Sequence, residues 1–199
     1  MKRRHCAFLV ILALSVMATS ARAQLSAQKN WRDVEPETVT LLSKSKYGRT
    51  FVGNGKSSFS FRYGVRGEVA PEITRSDLLY GNINQNGDSD WFIATLATDD
   101  RSRIKDLGEL KWSEVHDVPL LPASLKPHQA FRLPPRRETT SETVEASSDG
   151  QVTRPVAGHM YVVHVKKSRT DLYALFRVEK LVPSDEVTIS WKLVPSPKR

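Results

Sequence analysis

Residues 186–194 read Glu186-Val187-Thr188-Ile189-Ser190-Trp191-Lys192-Leu193-Val194. From Val187 to Leu193 the odd-numbered residues are apolar and the even-numbered residues are polar. A period of two is typical of a β-strand that buries one face and leaves the other in water. The stretch therefore predicts a half-buried strand, with Trp191 on the core side.

Two further β-rich runs precede this strand, at residues 159–165 and 172–181. Short polar segments, 167–171 and 182–185, separate the three runs. Short connections favour antiparallel neighbours, so residues 158–199 are expected to form a three-stranded meander. Because an isolated meander is marginally stable in water, we expect it to pack on another part of the chain.

Residues 37–133 supply that part, since eight of the ten glycines lie between 37 and 118 among short apolar runs. Strands separated by turns have this pattern. The predicted strands are 38–42, 49–52, 57–63 and 91–98. In the third, Phe59, Phe61 and Tyr63 alternate with polar residues and are expected on one buried face. The predicted fold is mainly β, an antiparallel two-sheet sandwich, with a barrel as the alternative.

Two polar segments flank this region. Residues 24–36 are predicted to form an N-terminal arm. Six of the eleven prolines lie between 119 and 155, and residues 134–154 are almost all polar or charged. Such a segment buries too little apolar surface to offset the entropy of ordering it, so residues 134–157 are predicted to be a flexible, proline-flanked excursion.

The first 23 residues resemble a secretory signal peptide. A basic start is followed by an apolar run over 6–18, and the small residues Ala21 and Ala23 precede Gln24. Cleavage is predicted between Ala23 and Gln24. It removes Cys6, the only cysteine, so the mature chain has no disulfide, thiol nucleophile or thiolate metal site. A cysteine-free exported chain favours the bacterial envelope, periplasmic or secreted.

Removing residues 1–23 lowers the net charge from +8 to +4, with 26 Lys and Arg against 22 Asp and Glu. A strongly cationic nucleic-acid binder is thereby excluded. No other apolar run approaches the ~18 residues of a membrane helix, so no membrane span is expected after signal removal. The expected partner is an envelope protein or a glycan.

Residues 82–90 resemble a calcium loop, because oxygen-bearing side chains alternate and Gly87 takes the sixth position. Ser89 at the eighth position and Ile93 at the twelfth depart from that pattern. A polar turn leading into the Trp91 strand is the simpler interpretation.

Two basic clusters, 101–106 and 166–169, could contact an anion, but solvated turns with exposed ion pairs are the simpler interpretation. Among the tryptophans, Trp91 and Trp191 are expected in the core. Trp112 has the least regular surroundings and is the candidate exposed aromatic.

Four histidines remain in the mature chain: His116, His128, His159 and His164. His159 and His164 are five residues apart on a predicted strand, which directs them to opposite faces. Asp88 with Asp90, and Asp99 with Asp100, are too ordinary as pairs to indicate glycoside hydrolysis. The sequence thus assigns no catalytic residue, no cofactor and no metal ligand.

The leading functional hypothesis is an exported, non-catalytic binding or structural module of the bacterial cell envelope. One alternative is a hydrolase whose catalytic residues converge from separate strands. Another is a calcium-stabilised adhesion domain.

Overall fold

The computed structural model describes residues 30–47, 55–67, 76–81, 90–94, 100–123 and 150–198. The chain divides into two compact units, Met1–Glu35 and Pro36–Arg199. In the described part of the first unit, Trp31–Asp33 form a 3₁₀ turn, and the side-chain oxygen of Asn30 accepts a hydrogen bond from the Arg32 amide. Among the described residues, no helix is both long and apolar enough to cross a bilayer.

The second unit is built mainly from β-strands, with short helical turns at Lys44–Tyr47 and Trp112–Glu114. The strands are β1 (Glu37–Leu42), β2 (Ser58–Ser60), β3 (Val65–Arg66), β4 (Leu78–Gly81), β5 (Trp91–Ile93), β6 (Arg103–Glu109), β7 (Val152–Thr153), β8 (His159–Lys167), β9 (Thr170–Val182) and β10 (Glu186–Val194).

The strands form two five-stranded antiparallel sheets. Sheet A has the order β1-β10-β9-β8-β6, and sheet B has the order β3-β2-β4-β5-β7. The prediction of a mainly β, two-sheet fold with a C-terminal meander is therefore confirmed, since β8, β9 and β10 are consecutive neighbours in sheet A.

Aromatic side chains from both sheets fill the space between them. Phe61 stacks on Phe176 with ring centroids 5.9 Å apart, and Phe92 meets Phe176 edge-on at 5.1 Å. Phe59 meets Trp191 edge-on at 5.1 Å. Each offset or edge-on ring contact of this kind stabilises a fold by about 0.5–1.5 kcal/mol in addition to the contribution of its buried area. The alternation read from the sequence correctly placed Trp191 and Phe59 in this core.

The alternation was wrong at two strand ends. Tyr63 is 53% exposed because β2 ends at Ser60 and the chain turns over residues 61–64. Leu193, expected on the buried face of β10, is 45% exposed. A period of two identifies a face of a strand but not the point at which the opposing sheet stops covering it.

The outer face of β10 was also predicted wrongly. Ser190 and Lys192, expected in water, are buried. On the same face of sheet A, Met160, Val162 and Leu175 are fully buried. Both faces of the sheet are therefore covered in its centre.

Several predicted segments lie outside the described residues or are described in part. Residues 49–52 and 134–149 are outside them, as are 95–98 of the fourth predicted strand. Residues 152–153 of the range expected to be an excursion form β7, which pairs with β5.

Candidate recognition surface

A buried carboxylate joins the two sheets at one end of the sandwich. Asp77 precedes β4, and its Oδ2 accepts hydrogen bonds from Ser60 Oγ at 2.9 Å and from the Arg62 amide at 3.3 Å. Its Oδ1 lies 2.9 Å from Nζ of Lys167, the last residue of β8, and Lys167 also donates to the carbonyl of Ser76. The hairpin between β8 and β9 is thus held against sheet B.

The turn after β2 presents Arg62 and Tyr63 at this same end. Gly64 has a φ of 67°, which favours glycine, and its amide donates to the carbonyl four residues earlier. The Arg62 guanidinium lies 5.3 Å from the centroid of the Tyr63 ring. It also donates to the carbonyl of Arg169 at 3.1 Å and to Thr170 Oγ1 at 3.3 Å. The exposed aromatic side chain is therefore carried by a turn that is fixed at several points.

An exposed apolar side chain of sheet A lies at the same end. A Cβ atom at Gly64 would be 3.4 Å from the Trp191 ring, so the turn lies against that ring. Leu193 follows Trp191 on the same face of β10, about 7 Å further along the strand. It pairs with Ala174, near the first residue of β9.

The lysines of the β8–β9 hairpin are paired with carboxylates. Lys167 is bonded to the buried Asp77, and Lys166 donates to Asp171. The hydrogen bonds from Lys166 and His164 lower the pKa of Asp171 below its ordinary value. The Asp171 carboxylate thus contacts both Lys166 and His164.

The arginines at this end, unlike the lysines, form no ion pairs among the described residues. The hydrogen bonds of the Arg62 guanidinium go to the uncharged oxygens of Arg169 and Thr170. Arg169 and Arg101 are exposed, and in the described part of the chain neither forms an ion pair. Arg101 adjoins the hairpin because its amide donates to the carbonyl of Lys166 at 2.9 Å. The three guanidinium groups at this end therefore form no ion pair with a described carboxylate.

A second buried carboxylate joins the sheets at the opposite end. Asp90 accepts hydrogen bonds from Ser43 Oγ, from the Tyr80 hydroxyl and from the amide of Ser184, each at 2.7 Å. Burial and the bond to Asp90 raise the pKa of Tyr80 well above its usual range. Asp90 is the ninth residue of the calcium-like pattern, and residues 82–89 lie outside the described residues.

His164 is buried on the outer face of sheet A. Its Nδ1 lies 2.8 Å from the carbonyl of Leu121, and its Nε2 lies 2.9 Å from Asp171 Oδ1. Each ring nitrogen thus contacts an oxygen acceptor. The ring stacks on Tyr173 at 4.2 Å, and the Tyr173 hydroxyl donates to the same Leu121 carbonyl. His164 therefore fastens one chain segment to the sheet.

That segment, residues 110–122, we call the strap. Trp112 Nε1 donates to Ser190 Oγ at 2.8 Å, and the Lys192 ammonium lies 4.7 Å from the Trp112 ring centroid. The carbonyl of Leu110 accepts from Arg177 Nε at 2.9 Å. The expectation of Trp112 as an exposed aromatic was wrong, because its indole is half-buried against the sheet.

His159 contacts a carboxylate on the neighbouring strand β6, whereas His164 contacts one on β9. It is half-buried, and its Nδ1 lies 2.9 Å from Asp106 Oδ2. His116 is exposed on the strap, and His128 lies outside the described residues. Within the ranges described, no three His, Cys, Asp or Glu side chains are grouped to hold a metal ion.

The segment 101–106 is mostly occupied by structural contacts. Asp100 is buried and accepts from the amide and hydroxyl of Ser102, whose oxygen accepts from the Lys166 amide. Arg103 donates to the carbonyl of Pro122 on the strap. Each carboxylate pair named from the sequence has one member outside the described residues: Asp88 in the pair with Asp90, and Asp99 in the pair with Asp100.

Sequence reasoning missed the exposed positions of Tyr63 and Leu193, because it assigned both side chains to the core. Gly64 was the available signal, since a glycine directly after Tyr63 is typical of a turn. In comparisons with known protein families, curated proteins and solved structures, no match to this chain was found.

Proposed function

We propose that the protein is an exported, non-catalytic recognition module of the bacterial cell envelope, acting after removal of residues 1–23. The observation that carries the proposal is the exposed Tyr63, held by Arg62 at the end of the sandwich. Tyrosine and arginine dominate the energetics of many interfaces. A binding surface gains affinity when its side chains are fixed before the ligand arrives, because less conformational entropy is lost on binding.

The roles of the ionisable side chains support recognition over catalysis. Asp77, Asp90 and His164 are buried, and each accepts or donates hydrogen bonds that join separate elements. A catalytic acid or base has to reach a proton of the substrate, within about 3 Å. These three side chains instead reach other parts of the fold.

The competing function is a hydrolase centred on His159. The contact of its Nδ1 with Asp106 matches the way a carboxylate orients a catalytic imidazole, which leaves Nε2 for proton transfer. Such an enzyme also needs a nucleophile or an activated water beside Nε2.

A turnover screen separates these two functions. The mature protein is tested against ester, glycoside, peptide and phosphate substrates, with and without divalent metals, beside His159→Ala and the exposed-site control His116→Ala. We expect no turnover that depends on His159. Turnover that is lost in His159→Ala, retained in His116→Ala, and accompanied by an unchanged circular dichroism spectrum would replace recognition by hydrolysis.

A further inference from the structure

Five residues define what we call the arginine end: Arg62, Tyr63, Arg101, Arg169 and Leu193. Arg62 and Arg101 are hydrogen-bonded to the β8–β9 hairpin, which contains Arg169 and which the Asp77–Lys167 pair holds against sheet B. Tyr63 follows Arg62 in the turn, and Leu193 lies on β10, paired with Ala174 of β9. All five are exposed. The arginine end therefore combines three positive charges with one aromatic and one aliphatic side chain.

We propose that the arginine end binds an anionic glycan, a polysaccharide that carries carboxylates on its sugar rings. The inference rests on the proposed recognition function and specifies its ligand. The first argument for this ligand is charge complementarity. A guanidinium is a planar donor that matches a carboxylate in two hydrogen bonds, and Arg62, Arg101 and Arg169 form no ion pair with a described carboxylate.

The second argument for a glycan is the exposed ring of Tyr63. Arg62 lies over the ring at 5.3 Å, and more than half of the Tyr63 side chain remains exposed. A flat ring with a cation beside it suits a sugar ring that bears a negative group, because the apolar face of the sugar packs on the aromatic while its carboxylate meets a guanidinium.

The apolar content of the arginine end argues against a membrane surface as its partner. Tyr63 and Leu193 are its two apolar side chains. Stable association with a bilayer requires a larger buried apolar area, such as an amphipathic helix face. A glycan needs only local stacking and paired charges.

The test measures binding of the mature protein to oligogalacturonate by titration calorimetry. A neutral dextran, polyglutamate and vesicles containing anionic phospholipid are the comparison ligands. Tyr63→Ala and Arg169→Ala are the test variants. Arg169→Ala keeps the carbonyl that accepts from Arg62, so the turn retains that bond. Lys105→Ala is the matched control, because it removes one positive charge from an exposed position on β6.

We expect oligogalacturonate to bind and dextran not to bind. Each test variant should weaken binding by about tenfold or more, while Lys105→Ala should change it less than about twofold. Added salt should also weaken binding. Absence of binding, equal loss in the control, or binding only to polyglutamate or to vesicles overturns the anionic-glycan proposal. None of these binding outcomes changes the result of the turnover screen. Failure of the anionic-glycan proposal can therefore be distinguished from failure of the proposed recognition function.

Discussion

Two buried carboxylates have matching roles at opposite ends of the sandwich. Asp77 connects sheet B to the β8–β9 hairpin, and Asp90 connects it to Ser184 in the turn between β9 and β10. These turns lie at the two ends of the thirteen-residue strand β9. A buried carboxylate with several donors is stabilising only while the donors are present, since each unsatisfied buried group costs about 1–3 kcal/mol.

Asp90→Asn should therefore destabilise the fold by about 1–3 kcal/mol, because its amide nitrogen replaces one of the two accepting oxygens and cannot accept a hydrogen bond there. The variant loses either the bond from Ser43 to Oδ1 or the bonds from Tyr80 and Ser184 to Oδ2. Equilibrium unfolding in urea measures the change. Asp33→Asn, at an exposed position, serves as the control and should stay within about 0.5 kcal/mol of the wild type. An Asp90→Asn variant as stable as this control would show that the three bonds do not join the sheets.

Asp171 gives the fold a defined pH dependence. Its pKa is lowered in the folded state, first by the hydrogen bond from Lys166 and then by that from His164. A depressed carboxyl pKa contributes stability above the unfolded value of 3.8 and loses it as pH falls through the folded value. Wild type should therefore be more stable than Asp171→Asn near pH 6, with the difference in Tm shrinking below about pH 4. A difference in Tm that does not vary between pH 3 and 7 contradicts this role.

At the scale of elements, the strap explains why the outer face of sheet A is not in water. Trp112 and Ser190 are separated by 78 residues, so no local pattern in the sequence indicates their contact. The alternation in residues 186–194 identified the strand and its core face correctly. It could not show that a distant segment covers the second face.

Replacing Trp112 tests the strap directly. Trp112→Phe removes the bond to Ser190 and should cost about 1 kcal/mol. Trp112→Ala also removes the ring beside the Lys192 ammonium and should cost more, about 2–3 kcal/mol for a half-buried indole. Urea unfolding of both variants measures the series. Equal stability of Trp112→Ala and wild type would mean that the strap does not stabilise the sheet.

At the scale of the whole molecule, the fold was more predictable than the candidate site. Period-two alternation and short connections are local properties, so β8, β9 and β10 could be read from the sequence. The arginine end is assembled from segments far apart in the chain, and Asp77 and Lys167, which hold it, are 90 residues apart. The net charge of such a surface depends on which of its lysines form ion pairs with carboxylates. The sequence alone does not show those pairs.

The proposal also requires that the protein leave the cytoplasm. The small residues Ala21 and Ala23 predict a mature chain that begins at Gln24. Intact-mass spectrometry of the exported protein should give the mass of residues 24–199. Ala23→Arg should block this cleavage because the site before the cut requires a small residue. Folded, membrane-bound protein that retains residues 1–23 in the wild type contradicts the predicted export.

Photo-crosslinking in living cells tests recognition at the arginine end without assuming a ligand. Tyr63 is replaced by photoreactive p-benzoylphenylalanine, and Leu120, an equally exposed residue on the strap, is replaced in the control. Illumination should give a discrete crosslinked product from position 63 and none from position 120. The product should disappear when Arg169→Ala is added. A product of equal yield from both positions, or none from position 63, would contradict recognition through this end of the sandwich.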